Sequence, residues 1–258
     1  MKPVPVIDLF AGPGGLGEGF SASAGAHGEP LFRVRLSIEK DVHAHSTLEL
    51  RAFFRQFARG DVPVEYYLLL QGLISREDAF NRHPVQAARA MEEAWLVELG
   101  PKSRIEVRCR VEKAIGSADP WVLIGGPPCQ AYSIAGRSRN IGVRGYVPEN
   151  DLRQTLYREY LQLLADNWPA VFVMENVKGL LSARLNGASV FDRIISDLQS
   201  PAKAVGRPRG LFHYNIYSLA YHGKLVAIDP ADFIVQAEKH GIPQARHRLI
   251  LLDRKSVV

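Results

Sequence analysis

Cys129 closes the string Ile124-Gly-Gly-Pro-Pro-Cys129 and opens Gln130-Ala-Tyr-Ser133. The apolar residues 121–124 read as a short strand, and the two prolines stiffen the loop that follows. A cysteine that only packs belongs inside such an apolar run. One held just beyond it is placed to attack as a thiolate, the nucleophilic form of the side chain. The string points to a catalytic cysteine and, alone, names no reaction. Three more strings carry groups that could work with it: Asp8-Leu-Phe-Ala-Gly-Pro-Gly-Gly-Leu-Gly17, Met174-Glu-Asn-Val177 and Gln244-Ala-Arg-His-Arg248.

The first of these follows a strand-like segment and reads as strand, tight turn, helix start. Its glycines let the backbone take positive φ and pass close to a ligand. The spacing is not the G-x-G-x-x-G of dinucleotide binders, and Pro13 interrupts it. Glu39 falls just past the second strand-like segment, where doubly wound folds hold ribose hydroxyls with an acid. Standing alone it reads equally as a solvated loop acid. Glu175 ends an apolar strand-like run, so its carboxyl points into the crevice where α/β folds bind ligands. Alone, it reads equally as a helix-capping acid. Arg246 and Arg248 alternate on a strand-like run, which sends them to opposite faces and to different roles.

The elements that must position these groups alternate β-branched runs with helical stretches, the pattern of a largely parallel sheet. Strands are expected at residues 4–10, 33–38, 104–109, 121–124, 170–174, 213–219 and 248–252. Helices are expected after the first, second, fourth and fifth. Residues 151–167 carry Leu152, Leu156, Tyr160, Leu163 and Leu164 near one helical face, and residues 189–199 are amphipathic. The last two strands are too close for a helical crossover and are expected to be an antiparallel pair on an otherwise parallel sheet. Residues 50–100, with 89–99 strongly helical in composition, are longer than a normal connection and read as a helical insertion. It is either a peripheral elaboration or a docking surface for a partner or DNA. Residues 201–210 read as a basic mobile loop.

The chain has 258 residues, enough for one large α/β domain, and 47% of them are apolar. Its net charge of +5 is a weak pointer to an anionic partner. No apolar run nears the ~20 residues that span a bilayer, and the N-terminus leads straight into a strand rather than a signal peptide. Two cysteines make neither a disulfide framework nor a zinc site. Cys109 reads as a packing residue in a strand, and the lone reactive thiol suits a reducing cytoplasm.

In this order the four strings closely resemble the motifs of the cytosine-C5 DNA methyltransferases, over residues 4–252. The resemblance implies a Rossmann-like α/β fold, S-adenosylmethionine as cofactor, no metal, and double-stranded DNA as partner. It implies transfer of a methyl group to C5 of a flipped-out cytosine, in a restriction-modification type of system. Cys129 would be the nucleophile at cytosine C6, and Glu175 the acid at N3. Arg248 would reach O2, Arg246 would order the loop carrying Cys129, and Asn176 would tie its backbone to a neighbouring loop. Phe10 would stack on the adenine; Ala11, Gly12, Gly14, Gly15 and Leu16 would line the methionine part. Asp8 would hold the turn or the amino group, and Glu39 the ribose. Pro128 and Leu156 would touch the cofactor. Gln130, Ser133, Arg137, Arg139, Arg144 and Arg153 would face DNA.

Two departures from the family pattern stand out. The family's Asp after the third strand, which meets the adenine amino group, has no obvious counterpart in residues 107–113, where Glu112 is the nearest acid. The pattern also continues, in the family, into a target-recognition domain and a segment that completes the cofactor pocket. This chain reaches Val258 a few residues past its last strand. A split enzyme with a second polypeptide and a truncated piece are the favoured explanations; a minimal domain reading DNA through the insertion is the third. The chain alone is expected to bind and methylate DNA poorly. Two other functions stay open: an RNA (tRNA) cytosine methyltransferase, and a catalytically silent regulatory subunit.

Overall fold

The computed structural model describes residues 2–58, 60–128, 152–185, 187–208, 212–220 and 229–257, with the backbone alone at 152–155, 185 and 257. In chain order the elements begin with β1 (Val4–Leu9), α1 (Gly15–Ala22), β2 (Phe32–Glu39), α2 (Val42–Phe54), α3 (Val64–Leu70), α4 (Arg76–Arg82) and α5 (Pro84–Glu93). Next come β3 (Ala94–Leu96), α6 (Arg104–Ile115), β4 (Val122–Gly125), α7 (Leu152–Asn167) and β5 (Val171–Val177). The last are β6 (Arg184–Leu185), β7 (Ala188–Ser189), α8 (Val190–Gln199), α9 (Pro201–Ala204), β8 (Phe212–Ser218), β9 (Ile234–Gln236) and β10 (His247–Val257).

The main sheet runs β3-β2-β1-β4-β5-β10-β8, with β9 added to β10. Strands β3 to β5 are parallel, and β10 is antiparallel to β5, β8 and β9. This is the expected mostly parallel α/β sheet with an antiparallel edge. One face packs α1 over Val6, Val34, Val122, Ile124 and Val173 through Leu16 and Phe20. The other buries Ile7, Leu9, Ile38, Leu123, Phe172 and Met174 under α6, α7 and α8. Burying both faces explains why the central strands read as continuous apolar runs. The strand order reverses between β1 and β4, so their C-terminal ends flank a topological switch point, the place where open α/β sheets bind ligands.

The β1–β4 pair is tight at that point. A Cβ on Gly125 would lie 2.6 Å from the Leu9 carbonyl oxygen and 3.2 Å from Cε2 of Tyr160. Gly125→Ala is therefore expected to destabilise the fold by about 2 kcal/mol. Urea unfolding that leaves the midpoint unchanged would contradict that close approach.

The structure corrects the sequence reading in four places. Residues 104–109 are the start of helix α6, not a strand. Ile105, Val107, Cys109 and Val111 alternate as a strand would, but only Val107 and Val111, one helical turn apart, are buried, and Ile105 is 80% exposed. Cys109 is accordingly exposed and not a packing residue. The third strand is β3, which lies inside the stretch read as helix. Helix α5 ends at Glu93, and Ala94–Leu96 turns extended because it pairs with Ser37–Glu39 of β2. The insertion is thus the β2–β3 crossover, closed by a strand of the main sheet. Lastly, the presumed basic loop after α8 begins as the short helix α9, with Pro201 and Ala202 buried and Arg207 paired with Asp166.

Candidate functional site

The glycine-rich turn leaves β1 with Phe10 at φ 55°, a left-handed conformation rare outside glycine. The Ala11 amide donates to the Ile38 carbonyl at 3.0 Å, and the Gly12 amide to Oε2 of Glu39 at 2.7 Å. The other oxygen of Glu39 accepts from the amides of Lys40 and Asp41, both at 2.8 Å. Glu39 is thereby fixed between the end of β2 and the turn after β1, with one acceptor position left over. Gly14, at φ 89°, caps helix α1.

Beside this turn lies a pocket of about 140 Å³ lined by Phe10, Ile38, Glu39, Lys40, Val97, Leu99, Gly126, Pro128 and Leu156. Apolar walls with an aromatic ring and one anchored carboxylate suit a flat heterocycle bearing a hydroxylated sugar, so these residues fit the nucleoside end of S-adenosylmethionine. Of the proposed cofactor residues the pocket brings together Phe10, Glu39, Pro128 and Leu156, with Gly12 bound to Glu39. Gly15 starts α1, and Leu16 packs against the α1-side core rather than facing the pocket. Ala11 is 9% exposed and packs with the insertion helices.

Asp8 lies under the first turn of α1, buried, with Oδ2 against Gly17. Burial pushes its pKa up to about 7, against the lowering effect of the Arg55 charge and the Gly17 amide. Asp8 therefore supports the turn from below and does not line the pocket.

Sequence reading missed Ile38, Lys40, Val97, Leu99 and Gly126. Misplacing the third strand hid Val97 and Leu99. It also misdirected the search for the acid: Glu112 sits on α6, paired with Arg108 away from the pocket. The acid that follows the true third strand is Glu98, which pairs with Lys40 at 2.9 Å. The aromatic and β-branched run Trp95-Leu-Val97 was the available signal.

On the other side of the switch point, Glu175 comes near the end of β5. Its Oε1 forms an ion pair with Nε of Arg248 at 2.7 Å, and a Cβ built on Gly126 would meet its Oε2 at 2.9 Å. The carboxyl is therefore held between β10 and the Gly126-Pro127-Pro128 run that leads to Cys129. Nη1 of Arg248 donates to the His247 carbonyl at 2.9 Å, leaving Nη2 without a partner among the described residues. Asn176 is buried; its Nδ2 donates to the Pro127 carbonyl at 3.3 Å and its Oδ1 accepts from the Val177 amide at 2.8 Å. This is the expected tie between the Glu-Asn-Val strand and the neighbouring loop.

Arg246 is not on a strand. It is exposed in the corner before β10, where its carbonyl accepts from the Ala237 amide at 3.0 Å. Strand alternation thus does not govern the two arginines, although they do point into different surroundings. Cys129, Gln130, Ser133, Arg137, Arg139 and Arg144 lie outside the described residues, and Arg153 is described by its backbone alone, in α7. Among the described residues there is no cluster of His, Cys, Asp or Glu that could hold a metal ion, and no helix long and apolar enough to cross a membrane.

Known proteins resemble this chain in sequence. The family model for the C-5 cytosine-specific DNA methylase matches residues 96–202. The chain is 29% identical to type II methyltransferase M.Bpa9945I of Bacillus paralicheniformis, over 95% of this chain and 52% of that protein. It is 25% identical to type II methyltransferase M.AquIA of a Picosynechococcus species, over 97% of this chain and 71% of the relative. DNA (cytosine-5-)-methyltransferase M.ApeKI of Aeropyrum pernix is 31% identical over 59% of this chain and 33% of its own length. The chain thus spans about half the length of the first of these relatives. With its motifs, its sheet order and these relatives in agreement, the chain is similar to the cytosine-C5 DNA methyltransferases, and their family model lies on residues 96–202.

Proposed function

We propose that the chain transfers a methyl group to C5 of cytosine in double-stranded DNA through a covalent bond to Cys129. The observation that carries this reading is the placement of Glu175, locked by Arg248 against the Gly-Pro-Pro run that delivers Cys129, beside the Phe10–Glu39 pocket. S-adenosylmethionine supplies the electrophilic methyl group when bound. Phe10, Ile38, Val97, Leu99 and Leu156 hold its adenine, and Glu39 its ribose hydroxyls.

Cytosine C5 is a poor nucleophile within an intact aromatic ring. The Cys129 thiolate adds to C6, and the C5–C6 electron pair becomes enamine-like, with N3 taking a proton from Glu175. C5 uses that pair to bond the methyl group as the methyl–sulfur bond breaks, that bond's electron pair staying on the sulfur of the departing S-adenosylhomocysteine. Water takes the C5 proton, the C–H electron pair restores the C5–C6 double bond and expels the Cys129 thiolate, and the N3 proton returns to Glu175. One hard substitution is thus divided into easier steps. Nη2 of Arg248, without a partner among the described residues, bonds cytosine O2. The base must leave the helix, because a stacked cytosine shields C6. The arginines of residues 137–144 meet phosphates.

The test is transfer of labelled methyl from S-adenosylmethionine to duplex DNA of varied cytosine context, with 5-methylcytosine identified by mass spectrometry. It is run with the chain alone and with the product of the neighbouring gene, since a second polypeptide supplying target recognition is part of the proposal. Label in duplex DNA in either arm, lost in Cys129→Ser, is the expected result. Label in transfer RNA but not in duplex DNA would replace the substrate. Undiminished activity in Cys129→Ser would remove the covalent mechanism.

A further inference from the structure

We infer that the helical segment between β2 and β3 is a brace for the cofactor turn, and that Arg55 is its positioning residue. The inference rests on the cofactor reading above and assigns the insertion a part in it. Three contacts of different kinds join the two.

The first contact is apolar. Ala11, from the turn itself, belongs to the same buried cluster as Leu48, Ala52 and Phe53 of α2, Ala79 and Phe80 of α4, and Ala87 and Ala90 of α5. The second is steric. A Cβ on Gly14 would fall 2.8 Å from Cδ1 of Leu48 and 3.6 Å from Cδ of Arg51, so α2 lies directly against the bend of the turn. The third is ionic. Arg55, at the C-terminal end of α2, reaches Glu18 in the first turn of α1 with one Nη and Glu93 at the end of α5 with the other. Gln56 adds a bond to Glu93 at 3.2 Å.

The Arg55 side chain is 12% exposed and Glu93 8%. Charges so far removed from water interact strongly, and leaving one unpaired is costly. Through Glu18, the guanidinium fixes the start of α1, the helix whose N-cap is Gly14 of the turn. Through Glu93 it fixes the residue before β3, the strand that leads into the pocket wall at Val97 and Leu99. One side chain therefore ties the helix that follows the cofactor turn to the strand that leads into the pocket wall, without touching a ligand. A peripheral elaboration would have no reason to send the nearly buried guanidinium of Arg55 to the helix of the cofactor turn as well as to its own Glu93.

The test is the affinity for S-adenosylhomocysteine, measured by isothermal titration calorimetry, with thermal unfolding recorded on each variant. Arg55→Met is expected to weaken binding about 10-fold or more, and Arg55→Lys, which keeps the charge but not the fork, to recover part of the loss. Glu18→Gln, at a half-exposed site that leaves Arg55 paired with Glu93, is expected to weaken binding by about 5-fold with little change in melting temperature. Arg76→Ala removes an ion pair to Glu49 within the insertion and is expected to lower the melting temperature without moving the affinity. Affinity unchanged in both Glu18→Gln and Arg55→Met, or moved as much by Arg76→Ala, would overturn the brace. A wild-type protein that binds no S-adenosylhomocysteine would overturn the cofactor reading itself and the brace with it.

Discussion

Glu175→Gln is expected to lower methyl transfer to DNA by about 10²- to 10⁴-fold, the range for a removed general acid. Affinity for S-adenosylhomocysteine should stay within about twofold, because the interaction lost is one made on the way to the transition state. Glutamine matches glutamate in shape and still meets Arg248, but it has no proton to hand to N3. The geometry makes the comparison clean. Glu175 is not among the residues lining the pocket, and its carboxyl is held from two sides, by Arg248 at 2.7 Å and by the Gly126 backbone. The measurement is initial rate against DNA concentration at saturating cofactor, with calorimetry on the same preparation. A variant that keeps more than about a tenth of the rate would end the assignment of Glu175 as the acid. One that loses cofactor affinity as well would place Glu175 in the pocket, contrary to the structure.

The chemistry-bearing residues could be read from the chain because they stand where strands end. Phe10, Glu39, Gly126 and Glu175 each come at or within a few residues of a C-terminal strand boundary, marked by glycine, proline or an acid after an apolar run. An open α/β sheet gathers such boundaries at one end. What could not be read depended on tertiary partners. Strand β3 is three residues long at the edge of the sheet, and its extended backbone exists because β2 offers Ser37–Glu39 to pair with. Helix α6 carries apolar residues at every second position, yet only the pair one turn apart meets the core. Period two and period four overlap in such a segment, and the sheet decides between them. The brace was illegible for the same reason: Arg55, Glu18 and Glu93 are ordinary surface residue types until the fold places them together.

A second large effect concerns stability and pH, and it centres on Asp253. This residue sits on β10 opposite Phe172 and Ile216, in the face that buries Tyr160 and Tyr214, and it is 0% exposed. Neither of its carboxylate oxygens has a hydrogen-bond partner among the described residues, and the Tyr160 hydroxyl has none either. An ionised carboxylate there gives up water with only the Arg254 amide to offset the loss, so the group keeps its proton. Burial raises its pKa from 3.8 to about 8. In the unfolded chain the group ionises near its ordinary value. Between those two pH values the native state therefore binds the proton and the unfolded state does not, and stability falls as pH rises. From pH 5.5 to 8.5 the loss due to Asp253 comes to about 3 kcal/mol, with about 2 kcal/mol more from Asp8, whose pKa is raised to about 7. The wild-type protein is thus expected to be markedly less stable at pH 8.5 than at pH 5.5, and Asp253→Asn to lose the larger share of that difference. Urea unfolding of both proteins across this range measures it directly. Parallel pH profiles for wild type and Asp253→Asn would show that the buried carboxyl is ionised or solvated in the folded protein. A flattened profile would show that it is kept neutral between β5 and β8, where it makes an alkaline medium costly to the fold that carries the site.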